Sequence, residues 1–116
     1  MPVITGLSEK RKLHLKEKLK ELLPKLQKLN PERVILFGSF VRGEVHKGSD
    51  LDLIIIAKDV PLRFIDRLDW AYESLDPDFP LDILVYTPEE IEKMKLVNPF
   101  IKRALKEGLV IYERGS

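Results

Sequence analysis

The segment Asp50-Leu51-Asp52-Leu53-Ile54-Ile55-Ile56-Ala57 constrains this chain more than any other. Its run of isoleucines is strand sequence. Side chains at i and i+2 of a strand share a face, so Asp50 and Asp52 project together while Leu51 and Leu53 point the other way. Aspartate is a poor strand former, and two of them at the head of an isoleucine run need a reason. Like charges about 4 Å apart repel by roughly 4 kcal/mol at an effective dielectric of 20. Such a pair needs cations, or one member must take up a proton. Magnesium favours carboxylate oxygens and keeps waters for substrate phosphates, which makes the pair a candidate metal-ligand set. A solvated strand end, with Asp50 capping the preceding turn, is the plainer alternative.

The rest of the chain reads as strands alternating with helices. Ser8 is placed to cap a helix to about Leu29, with an apolar stripe from Leu15, Leu19, Leu22, Leu23, Leu26 and Leu29. Pro24 inside it predicts a kink or a break. Arg33–Phe37 is a continuously apolar strand, covered on both faces. A short helix over Ser39–Arg42 and a loop over Gly43–Ser49 lead into the Asp50 strand. Pro61 starts a helix to about Leu75, with Leu62, Ile65, Leu68 and Trp70 among its apolar positions. Leu81–Tyr86 is the third strand. Thr87-Pro88-Glu89-Glu90 is a capping box for a helix to about Leu96. Asn98-Pro99 caps a last helix to about Lys106, Gly108 stops it, and Leu109–Tyr112 is an edge strand. The expected fold is α/β: one domain with a small sheet of about four strands and helices packed on it. It divides into a helical segment (1–30), a core (31–87) and C-terminal helices with an edge strand (88–116).

Composition excludes several classes. The chain has 116 residues, enough for one core and not two. Without cysteine there is no disulfide, thiolate zinc site or cysteine nucleophile. Nothing in it is apolar over a membrane-spanning length, nor is there a signal peptide, and the cytoplasm is the default. The net charge of +1 hides an asymmetry: residues 1–30 hold eight basic and three acidic residues, residues 44–82 four basic and ten acidic. The basic helix reads as a solvated face, and His14 with it. It lacks the interleaved aromatics that would argue for direct nucleic-acid contact. Trp70 reads as core, and Gly115-Ser116 as a loose tail.

Two further features join the aspartate pair. Gly38-Ser39 sits where a strand turns into a helix; glycine lets a ligand approach the backbone, and first-turn amides are unpaired. A tight turn is the plainer reading. Gly38 and Gly43 have the spacing of a P-loop, but Glu44-Val45 stands where Lys-Ser/Thr is required. Asp82 lies one residue into the next strand and would join the cluster if that strand neighbours Asp50's. Asp59, Asp76 and Asp78 compete less well, because turns favour aspartate for local reasons. His46, in the loop, is a weaker candidate for phosphate contact.

Leu36-Phe37-Gly38-Ser39-Phe40-Val41-Arg42-Gly43, then Ser49-Asp50-Leu51-Asp52-Leu53, then Leu81-Asp82-Ile83 resembles the nucleotidyltransferase superfamily of DNA polymerase beta. Within it the chain is similar to the small stand-alone members called minimal nucleotidyltransferases. The resemblance spans about residues 30–112; Val41 replaces the alanine often found there. It implies a nucleotidyltransferase fold and two Mg²⁺ ions, bridged by Asp50 and Asp52, with Asp82 on one of them. Gly38, Ser39, Arg42 and Ser49 would bind the nucleotide, ATP, and AMP would pass to a protein hydroxyl. It further implies an antitoxin role, in which the acceptor is a tyrosine of a small helical HEPN-type RNase toxin. Two other readings stay open: a binding module of this fold that neutralises its partner by contact, and a transferase for a small-molecule hydroxyl.

Overall fold

A computed structural model describes residues 2–42 and 51–115. Its elements follow the order α1 (Pro2–Lys28), β1 (Arg33–Phe37), α2 (Ser39–Arg42), β2 (Leu51–Ile56), α3 (Phe64–Leu75), β3 (Leu81–Tyr86), α4 (Pro88–Val97), α5 (Pro99–Glu107) and β4 (Leu109–Glu113). The strands form one mixed sheet in the order β3-β2-β1-β4. β1 runs antiparallel to β2 and to β4, while β2 and β3 are parallel.

Alternation along the inner strands divides the core. Val34 and Leu36 of β1, Leu53 and Ile55 of β2, and Ile83 and Val85 of β3 meet Leu15, Leu22 and Leu26 of α1 and Ala71 and Leu75 of α3. Ile35 and Phe37, Ile54 and Ile56, and Tyr86 point the opposite way, onto Ile91 of α4 and Ile101 and Ala104 of α5. Both faces are therefore covered, as the continuous apolar runs require. β4 is an edge strand, as expected.

Several boundaries differ from the sequence reading. α1 begins six residues before Ser8 and runs through Pro24; the missing N–H at Pro24 removes one rung only, and Leu22, Leu26 and Leu29 bury the helix on either side of it. Its basic face is not merely solvated. Lys18 pairs with Asp78 at 2.9 Å, and Lys25 Nζ donates to the Leu75 carbonyl at 3.0 Å, so α1 grips the C-terminal end of α3. His14 is exposed, as expected. α3 starts at Phe64 and not at Pro61; Leu62 and Ile65 are exposed, and Trp70 is half-buried against the core. The capping box at Thr87 and Glu90 forms, and Asn98 caps α5 through both Phe100 N and Ile101 N. Gly43–Asp50 and Ser116 lie outside the described residues. Among the described residues no helix is long and apolar enough to cross a membrane.

Arg67 joins α3, β3 and α4. It is 5% exposed, and a charge so buried must find partners. Nε donates to the Pro61 carbonyl at 2.7 Å. Nη1 donates to the Val85 carbonyl at 3.3 Å and to Glu90 Oε1 at 2.6 Å. Nη2 donates to the Leu62 carbonyl at 3.3 Å and to Glu90 Oε2 at 3.1 Å. All five guanidinium hydrogens are thereby used. The Phe64 ring lies 5.7 Å from the guanidinium carbon.

Arg67 holds the Glu90 carboxyl below the usual range, against an opposing effect of burial and with help from the Thr87 N–H. The folded pKa is below the unfolded one, so this stabilisation is present above the ordinary carboxylate range and lost as pH falls through the folded value. Arg67→Ala is expected to cost about 3 kcal/mol in urea unfolding at neutral pH. Glu90→Gln should cost less and flatten the acid limb of the stability curve. An acid limb as steep as in the parent would show that this pair does not govern it.

Candidate functional site

β1 ends at Phe37, and Gly38 follows with a φ of +85°. A side chain there would suffer the left-handed strain of about 1–2 kcal/mol. Space is the stronger demand. A Cβ at position 38 would fall on Oδ2 of Asp52 and lie 3.0 Å from its Cγ. The glycine turn and the aspartate of β2 are thus packed directly on one another.

Strand register places the second acid. Phe37 is paired with Asp52, and Asp52 with Asp82, across three adjacent strands. Neighbouring strands lie about 4.8 Å apart and paired residues share a face. Asp52 and Asp82 therefore stand side by side at one end of the sheet, on the α4 and α5 side. Asp52 is half-buried and Asp82 exposed. A cavity of about 530 Å³ opens above them, within the usual range for small-ligand sites. Gly38, Arg42, Asp52 and Asp82 supply its polar wall, and Phe37, Leu68, Tyr72, Ile83, Leu84 and Phe100 its apolar wall.

Of the residues singled out from sequence, four meet at this cavity: Gly38, Arg42, Asp52 and Asp82. Ser39 opens α2 directly after Gly38. Asp50, Ser49 and His46 lie outside the described residues. Among the described residues no group of three or more metal-ligating side chains converges. The two neighbouring carboxylates that do, Asp52 and Asp82, are hard oxygen donors suited to Mg²⁺.

Sequence reasoning passed over Tyr72 and Phe100. The Tyr72 hydroxyl donates to the Leu81 carbonyl at 2.5 Å, so α3 clasps the outer edge of β3 one residue from Asp82. Burial, and then the charge of Asp82, push this phenol's pKa up. The one-turn spacing of Leu68 and Tyr72 is the signal that could have found it. Phe100 packs edge-on against Phe37 at 5.7 Å between ring centres and is 57% exposed. The Asn98 cap that starts α5 sets it at the cavity wall.

A family model described as a nucleotidyltransferase domain matches residues 15–112. A Methanocaldococcus jannaschii protein named as a protein adenylyltransferase is 33% identical over 91 residues, covering 72% of this chain and 59% of that protein. A Haemophilus influenzae protein named as the protein adenylyltransferase MntA is 44% identical over 62 residues, covering 51% of this chain and 54% of that protein. The chain thus spans little more than half the length of these two relatives. A crystal structure from Sulfolobus solfataricus, titled as a nucleotidyltransferase, superimposes with a TM-score of 0.67 at 20% identity, over 92% of this chain and 87% of that one; this likeness is one of fold.

The contact between Gly38 and Asp52 can be measured as a coupling. Gly38→Ala is expected to destabilise by about 1–3 kcal/mol in urea unfolding, from backbone strain and displacement of the carboxylate. In the Gly38→Ala, Asp52→Ala double variant the clash partner is gone, so the combined loss should fall short of the sum by at least about 0.5 kcal/mol. Simple additivity would mean that position 38 does not act through Asp52.

Proposed function

The chain belongs to the nucleotidyltransferase domain family, and from that premise we propose that it transfers AMP from ATP to a hydroxyl group of a protein. The observation that carries the reading is the pairing of Asp52 with Asp82 directly beneath the Gly38 turn. Glycine keeps the backbone close enough for phosphate oxygens, and Arg42 stands at the same cavity to meet them.

The α-phosphate lies over the carboxylates, with the acceptor hydroxyl on the apolar side of the cavity. The acceptor oxygen forms the new bond to the α-phosphorus as the bond to the bridging oxygen of the β-phosphate breaks. Pyrophosphate leaves with that electron pair. Asp82 orients the hydroxyl and takes up its proton. Asp50, Asp52 and Asp82 would hold two magnesium ions, whose contribution when bound is to neutralise the charge on the attacking and leaving oxygens. Ser39 and Ser49 join Gly38 and Arg42 as nucleotide-binding residues.

Two observations support a protein acceptor. The relatives are named for that activity. Leu96, Val97 and Phe100, at the corner between α4 and α5, are largely exposed, and Phe100 reaches the cavity wall. Exposed apolar groups beside a site suit a macromolecular surface. The acceptor we propose is a helical toxin of the HEPN type, the chain acting as its antitoxin.

The test is incubation with labelled ATP, Mg²⁺ and the product of the neighbouring gene. Label is expected on that partner. Asp52→Asn and Asp82→Asn should each lower its incorporation by at least about 100-fold with folding intact. Neutralisation of the partner that survives the double variant would replace catalysis by contact. Label on a small molecule in place of the partner would replace the acceptor.

A further inference from the structure

Beside the main cavity is a smaller one of about 190 Å³, which shares Gly38 and Arg42 with it. Its remaining polar wall comes from Arg103 and Glu107 of α5. The Glu107 carboxylate lies between the two arginines: Arg103 Nε donates to Oε2 at 3.1 Å, and Arg42 Nη1 is 3.8 Å from Oε1. Two guanidiniums, from different elements, are thus aimed at one anion next to the turn that takes phosphate. α5 also carries Lys102 and Lys106, so this helix brings positive charge towards the end of the sheet where Asp52 and Asp82 stand.

We propose that Arg103 joins Arg42 in holding the terminal phosphates of the nucleoside triphosphate, and that Glu107 keeps the two guanidiniums converged until the phosphates displace it. The ligand is a polyphosphate, either the tail of the donor or the pyrophosphate product. The identity of that ligand rests on the transferase reading; the geometry does not. A guanidinium offers paired donors that match phosphate oxygens as well as carboxylate oxygens. The Arg103–Glu107 contact is an exposed pair one turn apart on a helix, and such pairs are weakly held against a competing anion. A phosphate chain carries more charge than the carboxylate it replaces and can satisfy both arginines at once. The motifs that carry the family resemblance stop at Ile83, which is why Arg103 is invisible to them.

Equilibrium titration of the whole chain with inorganic tripolyphosphate, and separately with AMP, tests the assignment. Arg103→Ala should weaken tripolyphosphate about tenfold and leave AMP binding unchanged, because only the terminal phosphates lose a partner. Lys102→Ala removes the same charge from the same helix and should change either affinity less than about twofold. Glu107→Gln should tighten tripolyphosphate several-fold by releasing the arginines. In the transfer assay Arg103→Ala should raise the KM for ATP with kcat nearly constant. An effect of Arg103→Ala no larger than that of Lys102→Ala overturns the proposal, as does weaker tripolyphosphate binding in Glu107→Gln. Parent protein that labels its partner while Arg103→Ala binds tripolyphosphate normally would sink Arg103 and spare the transferase. Parent protein that labels nothing, with the expected tripolyphosphate losses, would do the reverse.

Discussion

Two parallel strands cannot be joined by a tight turn, so pairing β2 with β3 requires a crossover. α3 is that crossover. Its attachment decides whether Asp82 stands beside Asp52 or one residue out of line, and a slip of one would send Asp82 to the opposite face. Side chains of α3 fix the outer edge of β3 at two points. Tyr72 holds the Leu81 carbonyl and Arg67 the Val85 carbonyl. Arg67 is tied in turn to Glu90, whose carboxylate also caps α4 through the Thr87 N–H. The site is therefore positioned by a buried cation and by a phenol at the cavity's own wall.

That same edge would otherwise be open to another strand. Hydrogen bonds from Tyr72 and Arg67 occupy carbonyls that an incoming strand would need. One arrangement thus meets two demands: it sets the register of an acid and blunts a sheet edge. An ion pair with one buried member is weak support for stability, because desolvation of the buried charge offsets much of the attraction. Its use here is specificity of placement, since an apolar residue at position 67 could pack but could not hold a carbonyl.

Much of this was legible in the sequence, for physical reasons that differ by residue. β1, α2 and β3 were placed to the residue, because a continuous apolar run between turn signals has little freedom in where it starts. Asp52 stood out because carboxylates at the head of an isoleucine run break the local rule; Asp50, its companion in the sequence, lies outside the described residues. Asp82 needed a conditional, the neighbouring of two strands, which only tertiary pairing could supply. Arg67 was missed although it heads the buried stripe Arg67, Ala71, Leu75; a cation one and two turns before two apolar core positions was its signal. The start of α3 was misplaced by Pro61, a residue common at a helix start but also common in a preceding loop. Lys18 and Lys25 were read as solvated because their partners, Asp78 and the Leu75 carbonyl, lie in a distant part of the chain.

Gly38 shows why a motif glycine can have two causes. Read as sequence, it is a turn residue that leaves room for phosphate. In the fold its positive φ and its contact with Asp52 are separate constraints, and the second is the tighter. An asparagine could adopt that backbone conformation with modest strain, yet its Cβ would still land on the carboxylate. The glycine turn after β1 and the Asp52 carboxylate of β2 are thus one packed unit. Moving either moves both, so the spacing between Gly38 and Asp52 in the chain matters less than the antiparallel register that pairs Phe37 with Asp52. A loop of different length between β1 and β2 could be accommodated. A shift of that register by one residue would turn Asp52 away from the site, and no local change could restore it.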